Sequence, residues 1–172
     1  MSTLAAGPVL MLRRATPDDN AAIAASWNDA VRSSEATTET ELRTLATQAE
    51  WLAAHDETHP VIVAVDGSDI VAWGSLSPYR PRPAFVESVE DSVYVKAGRQ
   101  RRGVGARVLE ELIRLAHACG HHTIIARIRS TNTASLTLHA RFGFAIAGVE
   151  REVARVAGRR VDVVVMQLLL PS

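Results

Sequence analysis

Cysteine is almost missing from this 172-residue chain: Cys119 stands alone, so no disulfide can form within it, and a reducing compartment suits it. Net charge is missing too. Lys+Arg and Asp+Glu each number 19, so no global field draws the protein to nucleic acid or to an anionic membrane, and any anion must be met by a local patch. No apolar run approaches the length that spans a bilayer. The opening MSTLAAGPVLM lacks the basic region and the apolar stretch of a signal peptide, and reads as a loose tail over 1–10, with Met11 available as a second start. The cytoplasm is the expected compartment. Repeats, low-complexity tracts and an interdomain linker are also lacking, and the length fits one domain over 11–172, with apolar residues at 47% of the whole, enough for a substantial core.

Two phosphate-binding signatures are absent as well. A Walker loop needs Gly-x4-Gly-Lys-Ser/Thr, and no such string occurs. The dinucleotide fingerprint needs a third glycine directly behind a strand, whereas Gly103-Val104-Gly105 runs on into Ala106, Arg107 and Val108. What stands there is QRRGVGARVLEELIRLA (100–116), with Arg101, Arg102 and Arg107 crowded around two glycines. Val104, Val108, Leu112 and Leu115 recur at helical spacing, Leu109 and Ile113 widen the stripe, and Gly120 stops the helix. Arg107/Glu111 and Glu110/Arg114, four apart, are expected to pair on the outer side. The first N–H groups of such a helix are unpartnered and its dipole is positive at that end, while Gly103 and Gly105, without Cβ atoms, would let a ligand approach the backbone. That is a cradle for a phosphate.

The remaining periodicities predict β-α-α-β-β-β-α-β-α-β-β. They give a strand at 10–15, helices at 18–31 and about 41–54, and a hairpin of 60–65 and 70–76 about the turn DGSD. A strand at 86–95, the helix at 103–118, a strand at 122–128, a helix at 132–142 and closing strands near 143–153 and 160–170 follow. This order implies an α/β fold, a mixed central sheet flanked by helices. Alternation along 89–95 puts Val89, Asp91, Val93 and Val95 on one face and Glu90, Ser92 and Tyr94 on the other. A carboxylate inside an otherwise apolar strand is costly unless it faces a cleft or is paired, or unless 87–91 is simply a solvated strand start.

Four strings in order, VEDSVYV (89–95), QRRGVGA (100–106), NTASLTLHARFGF (132–144) and GRRVDVVVMQ (158–167), resemble the GCN5-related N-acetyltransferases (GNAT), in the branch of phosphinothricin and methionine-sulfoximine N-acetyltransferases. The resemblance runs from about Leu12 to Leu170. It implies the GNAT fold, acetyl-CoA as co-substrate and transfer of acetyl to the α-amino group of a small acidic amino acid or analogue, without a metal. It assigns Gln100, Arg101, Arg102, Gly103, Val104, Gly105 and Ala106 to the pyrophosphate, and Val93, Tyr94, Val95, Asn132 and Ser135 to the pantetheine arm. Asn132 is equally suited to cap the helix that follows it. An amine protonated at neutral pH needs a base, and the resemblance gives that role to Glu90. His139 stands where many of these enzymes have a tyrosine acid, and is expected to protonate the leaving thiolate or to orient it. Tyr79, Arg80, Arg82, Ser88 and Val89 join Glu90 on the acceptor side; the stiff loop PYRPRPAF (78–85) offers arginines for an anionic acceptor, Arg82 matching the branch better.

Departures fall at Thr38, Leu42 and Arg160, where the branch commonly has an aromatic residue, a proline and tryptophan. HACGHH (117–122) offers His117, Cys119, His121 and His122, but histidines at a helix end also suit its dipole, and no metal is expected. A homodimer is the expected assembly, part of VDVVVMQLLL (161–170) covering the partner. A peptide or protein N-terminus as acceptor, or a non-catalytic acyl-CoA sensor, are the alternatives; a sensor would need no base.

Overall fold

Apolar alternation and helical stripes sort residues 10–171, which a computed structural model describes, into seven strands and four helices. Apart from Leu10, the expected tail lies outside them. In chain order these are β1 (Met11–Arg14), α1 (Asn20–Ser33), α2 (Leu45–Ala53), β2 (Val61–Asp66), β3 (Asp69–Pro78) and β4 (Ser88–Val95). Then come α3 (Val104–Ala118), β5 (Thr123–Arg129), α4 (Thr133–Arg141), β6 (Ala145–Val156) and β7 (Arg159–Leu169). The order is the one the periodicity predicts.

Two local expectations change. The second helix begins at Leu45 rather than near 41, because Thr44 caps it, its Oγ1 accepting from Thr47 N at 3.1 Å. Side chains of α1 hold the preceding segment out of the helix: Trp27 Nε1 donates to the Glu41 carbonyl at 3.0 Å, and Asn28 exchanges two hydrogen bonds with the Arg43 backbone at 2.8 and 2.9 Å. On α3 neither four-residue ion pair forms. Arg114 instead grips Glu111, three residues back, through two nitrogens at 2.7 and 2.8 Å.

The strands make one sheet in the order β1-β2-β3-β4-β5-β7-β6. Every neighbouring pair is antiparallel except β4 and β5, which α3 joins as a parallel crossover. On one face α3 buries Val108, Leu109 and Leu112 completely against Ile62, Leu76, Val89 and Ile124. Truncating Leu109 or Leu112 to alanine would cost about 2–5 kcal/mol. The helix lies so close to the sheet that a Cβ on Gly74 would stand 2.7 Å from Val108 Cγ1 and 2.9 Å from the Ser92 carbonyl. On the other face α1 and α2 cover Val61, Val63, Val65 and Trp73 with Ile23, Trp27 and Trp51. Trp27, Trp51 and Trp73 thus all lie on the α1–α2 side of the sheet.

Candidate active site

The strand β4 leaves its neighbour part-way along. It pairs with β5 only from Ser88–Thr123 to Glu90–Ile125, while β4 runs on to Val95 and β5 to Arg129 beside β7. On its other edge β4 stays zipped to β3, with Tyr79 N donating to Ser88 O at 3.3 Å and Lys96 N to Val71 O at 2.9 Å. Those bonds give the even-numbered residues of β4 to β3. By alternation, the N–H and C=O groups of Asp91, Val93 and Val95 turn toward the opening between the strands. Tyr94 is different. Its main chain pairs with β3 and its ring stacks on Trp73 at 4.5 Å and 8°, on the face opposite the side chains of Val93 and Val95.

Below the opening lies the loop into α3. Gln100 Oε1 accepts from Gly98 N at 3.1 Å, and Arg101 and Gly103 adopt left-handed conformations with φ 61° and 76°. Gly103 faces open space, so a bulky group can meet its backbone. At Gly105 a Cβ would lie 3.3 Å from Val95 Cγ2 and 3.5 Å from Leu138 Cδ2, so its lack of a side chain also lets α3 pack on β4 and α4. Val104 is buried and Ala106 half-buried within the first turn of α3. Arg101, Arg102 and Arg107 are exposed, and among the described residues none of them forms an ion pair. Free guanidinium groups around a helix N-terminus fit a polyanion such as pyrophosphate.

Glu90 stands at the fork itself, on the α1–α2 face. Burial raises its pKa above the usual carboxylate range; Arg127 opposes the rise, while Asp91, Glu39 and Glu150 add to it. Among the described residues its side chain makes no hydrogen bond, which leaves both oxygens available. Arg127 follows Ile125 by two along β5, on the same face, and its Nη2 donates to Glu150 Oε2 at 2.5 Å. The neighbouring wall is aromatic. Arg43 lies 3.5 Å over the Trp27 ring and 4.3 Å from that of Trp51, and Thr37 Oγ1 lies 3.4 Å from the Tyr94 hydroxyl.

His139 is on the opposite face, and it is not a free acid. Its Nδ1 donates to the Ser135 carbonyl at 2.8 Å and its Nε2 meets Asp91 Oδ2 at 2.9 Å, with only 3% of the residue exposed. Burial, the largest influence, opposes a charge there, but the hydrogen bond and the charge of Asp91, with the Ser135 carbonyl, outweigh it and raise the pKa. Both nitrogens are engaged, so the geometry suits a positioning group better than a proton donor to a thiolate. Asn132 caps α4, its Oδ1 accepting from Ser135 N at 3.1 Å, and its Nδ2 donates to the Ala36 carbonyl at 3.1 Å.

The acceptor-side expectations divide as well. Val89 is fully buried under α3, so its side chain does not reach the face of Glu90, whereas Ser88 is half-buried on that same face, two residues before it. Arg80 folds its guanidinium toward the rings of Tyr79 and Phe85 at 5.0 and 5.5 Å. Arg82 is exposed at the start of the short helix Pro83–Phe85. Residue reasoning missed Asp91, Arg127, Glu39 and Glu150. Alternation could have paired Asp91 with the helix side; Arg127 needed the β4–β5 register, which no local pattern encodes. At the far end of α3, His121 Nε2 bonds the Thr58 carbonyl at 2.8 Å and Cys119 Sγ approaches the Glu57 carbonyl at 3.4 Å. Among the described residues, no group of three or more His, Cys, Asp or Glu side chains is placed to hold a metal ion.

The acetyltransferase (GNAT) family model matches residues 22–144. The chain is 36% identical over 161 residues to the L-methionine sulfoximine/L-methionine sulfone acetyltransferase of Pseudomonas paraeruginosa, covering 92% of this chain and 94% of that one. It is 38% identical over 141 residues to the phosphinothricin N-acetyltransferase of Streptomyces coelicolor, covering 80% and 82%. The structure of yncA from Salmonella typhimurium with its cofactor acetyl-CoA superposes with a TM-score of 0.91 at 32% identity, covering 95% of each chain.

Proposed function

The chain belongs to the acetyltransferase (GNAT) family, and on that premise we propose that it transfers acetyl from acetyl-CoA to the α-amino group of a small amino acid or analogue of the phosphinothricin or methionine-sulfoximine kind. One observation carries the reading: β4 and β5 part at Glu90, which puts an uncommitted carboxylate beside an open backbone edge. The loop 100–106 and the exposed Arg101, Arg102 and Arg107 would hold the pyrophosphate, and the open edge of Val93 and Val95 the pantetheine arm. Bound there, the donor supplies an acetyl thioester whose carbonyl the amine can attack.

The protein's own part is proton and charge handling. Glu90, with its raised pKa, takes the ammonium proton directly or through water and leaves the nitrogen lone pair free to attack. The N–H of Val95 is suited to the oxygen that becomes negative as the carbonyl carbon turns tetrahedral. A thiol of pKa about 8.5 leaves without an obligatory acid, so His139, clamped by Asp91, need only keep α4 and β4 in register beside the sulfur.

In this reading residues 11–172 act as one acetyltransferase domain in the cytoplasm, on a small-molecule amine, as a homodimer. Release of free thiol from acetyl-CoA, measured with a panel of amino acids, phosphinothricin, methionine sulfoximine and peptides, tests it. Turnover confined to free amino acids and analogues is expected. Preference for peptides, or tight acetyl-CoA binding with no turnover on any amine, would overturn it.

A further inference from the structure

We infer that Arg127, at the fork between β4 and β5, is the residue that binds the α-carboxylate of the acceptor, leaving Arg82 to meet the far end of the molecule. The inference rests on the reading above, in which an α-amino acid is acetylated beside Glu90. In such a substrate the amine and carboxylate share one carbon, so the carboxylate oxygens lie within roughly 3.5 Å of the nitrogen. A cation bonded to them must therefore stand within about 6–7 Å of the amine, and so close to the base.

Arg127 meets that requirement. Glu90 is in register with Ile125, and Arg127 is the next residue of β5 on the same face, where the strands have begun to part. Of the charges that act on Glu90, Arg127 is the cation, whereas Glu39, Asp91 and Glu150 are anions. Its guanidinium spends only Nη2 on Glu150, and its side chain is 33% exposed, so two nitrogens are left to form a fork to a carboxylate. Glu90, with the charges of Glu39 and Glu150 acting on it, suits the ammonium group of the same substrate.

The arginines nearest in sequence or packing to the fork are engaged differently. Arg43 is packed between Trp27 and Trp51 and donates to Gln48. Arg129 donates Nη1 to the Ser34 carbonyl, holding the segment after α1, and stands four residues beyond Ile125, further along β5 from Glu90 than Arg127. Arg80 lies over Tyr79 and Phe85, and Arg82 is exposed at the start of the short helix Pro83–Phe85, outside the β4–β5 fork.

The test compares L-methionine sulfone with its α-carboxamide, which keeps the amine and side chain but lacks the anion. In Arg127→Gln the KM for the acid should rise about 10–100-fold, the worth of a charge-assisted hydrogen bond. The KM for the carboxamide and the affinity for acetyl-CoA should stay within about threefold of wild type, since binding shared by ground and transition states is what is lost. Arg127→Lys, which keeps the charge and the pair with Glu150, safeguards the experiment against misfolding and should raise the acid's KM by less. Equal losses for acid and carboxamide in either variant, or no loss for the acid, would overturn the carboxylate site while leaving the acetyltransferase reading intact. A wild-type protein that acetylates neither compound nor any other amino acid would overturn both.

Discussion

Glu90 shows how a functional residue opposes the stability of its own fold. A carboxylate whose pKa is raised by burial is favoured in its protonated form by the fold, so its ionisation costs stability as the pH rises above the usual carboxylate range. Glu90→Gln removes that cost while keeping shape. The variant is expected to lose about a hundredfold or more in turnover, the share general-base catalysis usually supplies. It should also melt about 1–4 °C higher, as a gain on the order of 1 kcal/mol would give at this chain length. A normal turnover number would remove Glu90 from the mechanism. His139 carries the same sign for another reason. Its pKa is raised, so its pairing with Asp91 stabilises fully below the unfolded value of about 6.5 and is lost as the pH climbs through the higher folded value. Urea melts across pH 6–9 should show that decline in wild type and a flatter profile in His139→Gln. An unchanged slope in the variant would mean that the histidine is neutral throughout.

Elements were legible in this sequence wherever the physics is local. Strand alternation, the α3 stripe and the cap at Asn132 are each set by neighbours within a few residues, and the structure keeps all of them. The shift of α2 to Leu45 was not legible, because Trp27 and Asn28 of another helix hold its approach. Nor could periodicity tell that Gly105 packs closely against Val95 and Leu138 while Gly103 faces open space. The face of Glu90 could be read from alternation; its confrontation with Arg127 depends on a parallel register made across the α3 crossover. The two glycines lend themselves to a direct check. Gly103→Pro forces φ to about −65° where the loop needs 76°, and removes an N–H from the cradle. Acetyl-CoA binding by calorimetry should vanish in a variant that still folds. Retained affinity would release the loop from its pyrophosphate assignment.

At the scale of the whole molecule, the sheet is finished differently at its two ends. β1 closes one edge with four residues, whereas β6 leaves twelve along the other, largely exposed and irregularly paired with β7. Of the closing apolar run, Val161, Val163, Val164, Met166 and Leu170 go into the core, but Leu169 is 61% exposed, and Ile146, Val149 and Val153 project from β6. A long edge strand with apolar side chains invites pairing unless another surface covers it, which supports the proposed homodimer. Such a dimer also bears on chemistry. Glu150, the partner of Arg127, sits beside Val149 on this strand, so the partner subunit would steady one wall of the acceptor site while leaving the α3 loop untouched. Sedimentation at micromolar concentration should therefore give a dimer for wild type and a monomer for Val149→Glu. The monomeric variant should bind acetyl-CoA normally but show a severalfold higher KM for the amine, because the ordering of β6 that the dimer supplies is then charged against acceptor binding. A wild-type monomer would refute the assembly; a monomeric variant with unaltered acceptor kinetics would separate the edge strand from the active site.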